Sequence, residues 1–302
     1  MDEDELIDRL RSALDTSDDR VALGIGDDAA VLSNGSVVSV DAQVEGTHFL
    51  REWLPPALIA MRGVSTALSD LAAMGARASA VLVSWELPAA EPDATIRAMI
   101  DGLADASRRY AVPVVGGNVS RGPGIAQHTT VIGEALGEPV RRSGARSGDV
   151  VYVTGPIGAA ALGLACLRGG HAGAFAERWQ RPLARLDLAA TIAERASAAI
   201  DVSDGLVSEL FHLAAASGVG FEVELARVPR DDAFDDHAHA DGLDPEALIA
   251  EGGEDYELLF TSSSAIDPAL ATAIGKVTAT RTMVVRRADG SRWAGRGGFR
   301  HR

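Results

Sequence analysis

The sequence predicts a two-domain α/β (α+β) protein, each half a mixed sheet covered by helices. Apolar runs of strand length alternate with longer stretches at helical spacing along the whole chain. A polar, glycine-rich stretch at residues 137–149 (GEPVRRSGARSGD) interrupts this alternation near the middle. The 302 residues also exceed what one core usually organises, so two domains of about 150 residues are expected. We place them at 1–138 and 139–302.

In chain order, Leu6, Ile7, Leu10 and Leu14 fall at helical spacing and predict a short first helix ending near Ser17-Asp18. Residues 37–40 read as a buried strand with Asp41 at its carboxyl end. Residues 56–76 are helical in pattern, with Pro56 early and Gly75 late, as helix starts and stops require. A strand at 80–85, a helix at 93–110 and strands at 112–115 and 129–135 complete the first half. The second half predicts a strand at 150–154, helices at 159–168 and 185–197, and a strand at 198–202. A helix at 206–216 and strands at 221–224, 256–261 and 282–287 follow. Residues 230–244 (RDDAFDDHAHADGLD) read as a solvated loop.

The composition, 47% apolar and 24% charged, is that of a soluble globular protein. A formal net charge of −15 argues against a nucleic-acid or anionic-membrane surface and would repel free nucleotide as well. A phosphate ligand must therefore arrive with metal ions or meet a local group of arginines. Of 28 basic residues only Lys276 is a lysine. Its IGKVTA setting is neither a glycine-rich phosphate loop nor a protein-kinase strand, which excludes both ATP-binding designs. No apolar run reaches the ~20 residues of a membrane span. The acidic start MDEDELIDRL lacks the basic region of a signal peptide. Cys166 is the lone cysteine, most simply core filler, so no intrachain disulfide is expected. These features predict a cytoplasmic protein.

The informative residues are acids in apolar settings. Asp27 and Asp28 lie in GIGDDAAVL, Asp41 ends VVSVD, and Asp70 lies inside STALSDLAAMGA. Asp201 and Asp204 sit in AAIDVSDGL, and Glu254 and Asp255 in GGEDYELLF. Singly, each has a plain structural reading: Asp27-Asp28 a turn, Asp204 or Ser203 a helix cap, Asp70 an ion pair with an arginine. Their recurrence in both halves points to convergence instead. Two carboxylates about 4 Å apart repel by roughly 4 kcal/mol at an effective dielectric of 20, so such a cluster needs protonation or cations. Hard oxygen ligands select Mg²⁺ or Ca²⁺, and zinc is disfavoured where Cys166 is the one thiol and His48 the one nearby histidine. On the anion side, the glycines of GGN at 116–118 either admit a phosphate to the backbone or turn a hairpin. Arg141, Arg142 and Arg146 either clamp phosphate or serve a solvated linker. HAHAD at 237–241 has the composition of a histidine metal site but falls in the predicted loop.

Taken together, GIGDDAAVL, VDAQVEGTHF, LSDLAAMGA, RSGARSGDVVYVTGPIG, AIDVSDGL and GGEDYELLF follow one another along nearly the whole chain. In order and spacing the set resembles the thiamine-monophosphate kinase family, within the aminoimidazole-ribonucleotide synthase superfamily. The resemblance implies a two-domain protomer, a homodimer paired through its N-terminal sheets, and an active site between the domains. It implies in-line transfer of the ATP γ-phosphoryl group to thiamine monophosphate, giving thiamine diphosphate. By motif, Asp28, Ser39, Asp41, Asp70, Asp201 and Asp204 would hold magnesium ions, with Asp28, Asp41, Asp70 and Asp201 acting electrostatically through them. Gly117, Asn118, Arg142 and Ser203 would contact ATP. His48, Glu254 and Phe299 would contact the thiamine phosphate, and Asp27 is left to the turn or to support of the ligands.

Two positions depart from the family pattern. Asn118 stands where the family shows an aspartate, and Val40 where it shows a threonine. Both family residues serve one metal that the residue matching Asp41 also binds, so the expectation is one weakened magnesium site. GGNVS also resembles formylglycinamide-ribonucleotide amidotransferase. ATP chemistry on another small phosphorylated substrate, or a weakly active nucleotide-binding paralogue, are therefore the alternatives.

Overall fold

The computed structural model describes residues 3–14, 18–170 and 173–295. The first half begins with helix α1 (Glu3–Ala13) and contains two longer helices, α2 (Pro56–Ala73) and α3 (Asp93–Tyr110). Its six strands are β1 (Val21–Leu23), β2 (Ala30–Leu32), β3 (Ser36–Val44), β4 (Ala76–Leu87), β5 (Val114–Arg121) and β6 (Ala126–Ala135). They form one sheet in the order β1-β2-β3-β6-β4-β5, antiparallel throughout except for β4 beside β5. That one parallel pair is bridged by α3, as a parallel crossover requires.

Helix α2 is the pivot of the molecule. It is buried almost all round, apolar except for a face carrying Arg62, Thr66 and Asp70. It packs on β3, β4 and β6, against α3, and against the second half of the chain. The contact with α3 is close because residue 102 is glycine: a Cβ there would stand 2.0 Å from the Ala57 carbonyl oxygen.

The second half supplies β7 (Val150–Val153), β8 (Ala198–Asp201), β9 (Gly220–Glu224), β10 (Leu258–Ser262), β11 (Thr272–Thr278) and β12 (Met283–Arg286). The sheet order is β12-β9-β11-β7-β10-β8. Alternate residues serve two different cores. Val151, Val153, Ile200 and Leu259 face helices α4 (Ala159–Arg168), α7 (Leu206–Ser217), α8 (Phe234–Ala240) and α9 (Pro245–Glu251). Tyr152, Ala199, Leu258 and Phe260 face the end of α2 and helix α6 (Ala189–Arg195). Strands β8 and β10 are thus buried on both sides, which is why they read as unbroken apolar runs. Trp179, on the short helix α5 (Ala176–Gln180), inserts into the core of the first half.

Several expectations change. Strand β3 pairs with β6 from Ser36 to Val44, so Asp41 is mid-strand rather than terminal. GGN lies inside β5, paired with β4, not in a turn. Residues 230–244 are not a plain loop: Phe234 and Ala238 sink into the core and α8 forms around them. The helix expected at 185–197 is a single 3₁₀ turn followed by α6. The strand expected from Tyr256 begins at Leu258, because Glu254 and Tyr256 hold φ values of 69° and 53°, which no strand accepts. Strand β11 was not expected at all.

Candidate active site

A match between helix and strand geometry positions the acids. Along β3, Ser39, Asp41 and Gln43 alternate onto the face beneath α2. Along α2, Asp70, Thr66 and Arg62 recur one turn apart on the face above. Four helical residues advance about 6 Å and two strand residues about 6.7 Å, so the two series stay in step. Ser39 Oγ donates to Asp70 Oδ2 at 2.5 Å. The Thr66 hydroxyl donates to Asp41 Oδ2, whose other oxygen accepts the Ala42 N–H at 2.6 Å. Arg62 Nη1 donates to Gln43 Oε1. The sequence reading named Ser39, Asp41 and Asp70 but missed Thr66, Arg62 and Gln43. The signal for Thr66 and Arg62 was their recurrence at four-residue intervals with Asp70 in a mostly apolar helix; Gln43, on the strand, carried no such signal.

Asp28 lies between β1 and β2, its side chain 1% exposed. Arg142, from the linker between the halves, brings Nη2 to 2.5 Å and Nε to 2.9 Å of Asp28 Oδ1. Asp28 Oδ2 is buried with no protein partner. The Arg142 backbone N–H meanwhile donates to both Asp27 oxygens, at 3.1 and 3.2 Å. The two adjacent acids thus divide the work: Asp27 fastens the linker and Asp28 receives its charge. Ser39 Oγ, 3.2 Å from the Asp28 carbonyl oxygen, ties this turn to β3.

The acids of the two halves face one another. Burial and then the charge of Asp28 raise Asp201, at the end of β8, to about 7. Burial and the charges of Asp201, Asp28 and Asp41 push Asp70 well above the usual carboxylate range. Burial raises Asp27 to about 6, with the Asp28 charge adding to it. Glu209 of α7, missed from sequence, is a further buried acid in this group. Its Oε1 accepts the Asp204 N–H at 2.9 Å, and burial and the Asp204 charge push it well up.

The segment carrying Glu254 is pinned to the turn between β8 and α7. Glu254 N–H donates to the Ser203 carbonyl at 2.7 Å, and Tyr256 N–H to that of Val202 at 2.9 Å. Gly253 permits the approach, since a Cβ there would lie 2.2 Å from the Ser203 carbonyl oxygen. The left-handed φ of Glu254 costs a non-glycine residue about 1–2 kcal/mol. Its Oε1 accepts Arg62 Nη2 at 2.5 Å and its Oε2 accepts the Trp179 indole N–H. Asp255 turns the other way and caps α4, accepting the N–H groups of Gly158 at 2.7 Å and Ala160 at 2.9 Å.

His48 follows β3 in a turn, its Nδ1 accepting the Val44 N–H at 3.0 Å. Gly117 and Asn118 lie exposed in the edge strand β5. Three strand positions separate β5 from β3, about 14 Å at ~4.8 Å per strand. Val40 is 64% exposed. The expected grouping of Asn118, Val40 and Asp41 about one metal is therefore not formed within one chain. Phe299 lies outside the described residues. His237, in the HAHAD stretch, packs edge-on against Phe175 at 5.4 Å.

Among the described residues, no three His, Cys, Asp or Glu side chains are grouped so as to hold an ion by themselves. The donors present nevertheless suit Mg²⁺. They are carboxylate and hydroxyl oxygens, one of them the buried and unpartnered Asp28 Oδ2. Magnesium keeps several waters and takes one or two carboxylates plus substrate phosphates rather than an all-protein cage.

Residues 26–138 match the family described as AIR synthase related protein, N-terminal domain, and residues 146–287 the AIR synthase related protein, C-terminal domain. The thiamine-monophosphate kinase of Mycobacterium tuberculosis (strain H37Rv) is 37% identical over 288 residues, 92% of this chain and 85% of that protein. That of Escherichia coli (strain K12) is 37% identical over 298 residues, 90% of this chain and 88% of that protein. The solved structure "AaThiL complexed with AMPPCP and TMP" superposes with a TM-score of 0.90 at 32% identity, covering 99% of this chain and 97% of that one. With both domains matched in order and the likeness running nearly end to end, the chain belongs to the thiamine-monophosphate kinase family, on the AIR synthase related fold.

Proposed function

We propose that this chain transfers the γ-phosphoryl group of ATP to thiamine monophosphate in a magnesium-dependent reaction, giving thiamine diphosphate. The observation that carries the reading is that buried carboxylates of the two halves, Asp70 and Asp201, both feel the charges of Asp28 and Asp41, with Arg142 seated on Asp28, in a chain without a lysine for the task. The relatives named thiamine-monophosphate kinase, and the AaThiL complex with AMPPCP and TMP, support it.

The acceptor is a phosphate monoester, whose oxygens are already anionic at neutral pH, so the site needs no strong base. The task is to hold two anions in line and to offset the charge growing on the transferred group. Asp28, Ser39, Asp41, Asp70, Asp201 and Asp204 would hold magnesium, which when bound neutralises and orients the phosphates. The chain's own work is to keep these oxygens in place. Ser39 fixes Asp70, and Thr66 fixes Asp41. Arg142 balances Asp28 and stands ready to exchange it for an ATP phosphate, with Ser203 also serving ATP. Glu254 and His48 would hold the thiamine phosphate, and Phe299 would stack on it.

Gly117 and Asn118 belong to the same reading only if the N-terminal sheet pairs in a homodimer that delivers them to the nucleotide. Strand β5 suits that role. It is an unpaired edge whose Val115 and Val119 are 59% and 65% exposed, the kind of edge that folded proteins cover. A cytoplasmic location is part of the proposal; no helix among the described residues is long and apolar enough to cross a membrane.

Purified protein with ATP, MgCl₂ and thiamine monophosphate tests the reading, with thiamine diphosphate followed by chromatography. Its formation in step with ADP is the expected result. ATP turnover only with other acceptors, or binding without turnover, refutes it.

A further inference from the structure

We propose that Arg62 and Trp179 are positioning residues for the thiamine-phosphate half of the site: they clamp both oxygens of Glu254 and hold that carboxylate on the helix face that orders Asp41 and Asp70. The proposal rests on the function above and adds two residues to it.

Arg62 is fully buried inside a helix that is otherwise almost entirely apolar. Its guanidinium is spent on four contacts. Nε donates to the Trp179 carbonyl at 3.1 Å, Nη1 to Gln43 Oε1, and Nη2 to Glu254 Oε1 at 2.5 Å. Its Cζ lies 4.8 Å over the Trp179 ring. The indole N–H of that same ring closes the circuit on Glu254 Oε2. One buried cation therefore joins β3, α2, α5 and the GGED segment, drawn from both halves of the chain.

A buried ion pair is poor evidence of stabilisation, since apolar residues of similar volume often serve as well. Its better-attested use is to specify one arrangement, and here the arranged group is the Glu254 carboxylate. Two further observations agree. Glu254 sits in a left-handed conformation, which persists only where the surroundings over-determine it. Its side chain is also 27% exposed whereas that of Arg62 is not exposed at all, so one side of the carboxylate stays open. A carboxylate offers about four lone-pair sites. Arg62 and Trp179 occupy one on each oxygen and leave the others to a substrate donor.

The test is a set of conservative variants assayed against each substrate separately. Trp179→Phe keeps an aromatic ring near Arg62 and removes the indole N–H together with part of a buried ring, so it also costs some stability. It is expected to raise KM for thiamine monophosphate about tenfold, as loss of a hydrogen bond to a charged group does. KM for ATP and kcat should stay close to wild type, while the melting temperature falls by a few degrees as the buried ring shrinks. Arg62→Lys keeps the charge but loses the fork and should raise the same KM further; it also carries the test if Trp179→Phe fails to fold. Equal losses in kcat and both KM values, an unchanged KM for thiamine monophosphate, or loss of folding in both variants overturns the clamp. Glu254→Gln separates this from the functional reading. If it raises KM while Trp179→Phe does not, only the clamp falls. If it leaves KM unchanged, Glu254 does not touch the substrate, and that part of the functional reading falls with the clamp.

Discussion

Asp28 and Arg142, 114 residues apart in the chain, meet at 2.5 Å between the two domains. Removing one partner of a buried pair leaves the other charge uncompensated, at a cost of about 3–5 kcal/mol where both are buried. The Arg142 side chain is 27% exposed, so Arg142→Met should cost about 2 kcal/mol without magnesium. On the proposed function magnesium would supply a replacement counter-charge at Asp28. The rise in melting temperature on adding MgCl₂ should therefore be larger in the variant than in wild type, a comparison that thermal unfolding makes directly.

Thr66 offers a second test. Thr66→Val keeps the shape and removes the hydroxyl that fixes Asp41, leaving that oxygen short of a partner at about 1–3 kcal/mol. Turnover at fixed Mg²⁺ should fall at least about tenfold by the same figure, and Thr66→Ser should restore most of it. Equal activity in all three proteins would remove Thr66 from the site.

Asp255 makes stability depend on pH. Burial raises its carboxyl to about 7 in the folded protein from an ordinary 3.8. Between those values the folded chain keeps a proton that the unfolded chain has released. The resulting stabilisation is complete below the ordinary value and is lost as pH rises through 7. At ~1.4 kcal/mol per unit it amounts to at most about 4 kcal/mol. Asp27 and Asp201, also raised, act in the same direction. Asp255→Asn should therefore flatten, without abolishing, the fall in stability between pH 5 and pH 8. Denaturant titration at the two pH values measures it.

Asn118 tests the weakened metal site. An amide oxygen can ligate magnesium but brings no charge, so Asn118→Asp should lower the Mg²⁺ concentration for half-maximal activity several-fold, on the order of 1 kcal/mol of binding. An unchanged Mg²⁺ dependence would detach Asn118 from the metal.

Val119, 65% exposed on the edge strand, tests the homodimer. Val119→Asp places a charge on an edge that a partner would cover while disturbing little inside the protomer. Light scattering should report a folded monomer, with a lowered melting temperature and lost activity. A dimer that survives the change would place the interface elsewhere.

Much of this architecture was legible in advance because periodicity is a local property. The alternation of apolar runs announced α2, α3, α7 and the buried strands β7, β8 and β10, each from its own residues. Strand β11 escaped because TAIGKVT carries little strand pattern of its own; pairing with β7 and β9 on either side makes it a strand. Helix α8 escaped because Phe234 and Ala238 are too few to announce a buried face.

The sequence by itself singled out Asp28, Asp41, Asp70 and Asp201, since each stands out against apolar neighbours within a few residues. It also determined that the one lysine, Lys276, stands in neither of the lysine motifs that bind ATP phosphates. Only the tertiary structure decided what holds those acids. Thr66, Arg62 and Trp179 look like ordinary residues of buried helices until β3 and the GGED segment are laid against them. The physical reason is range: a hydrophobic pattern is written along the chain, whereas a buried hydrogen bond depends on which distant segment supplies its partner.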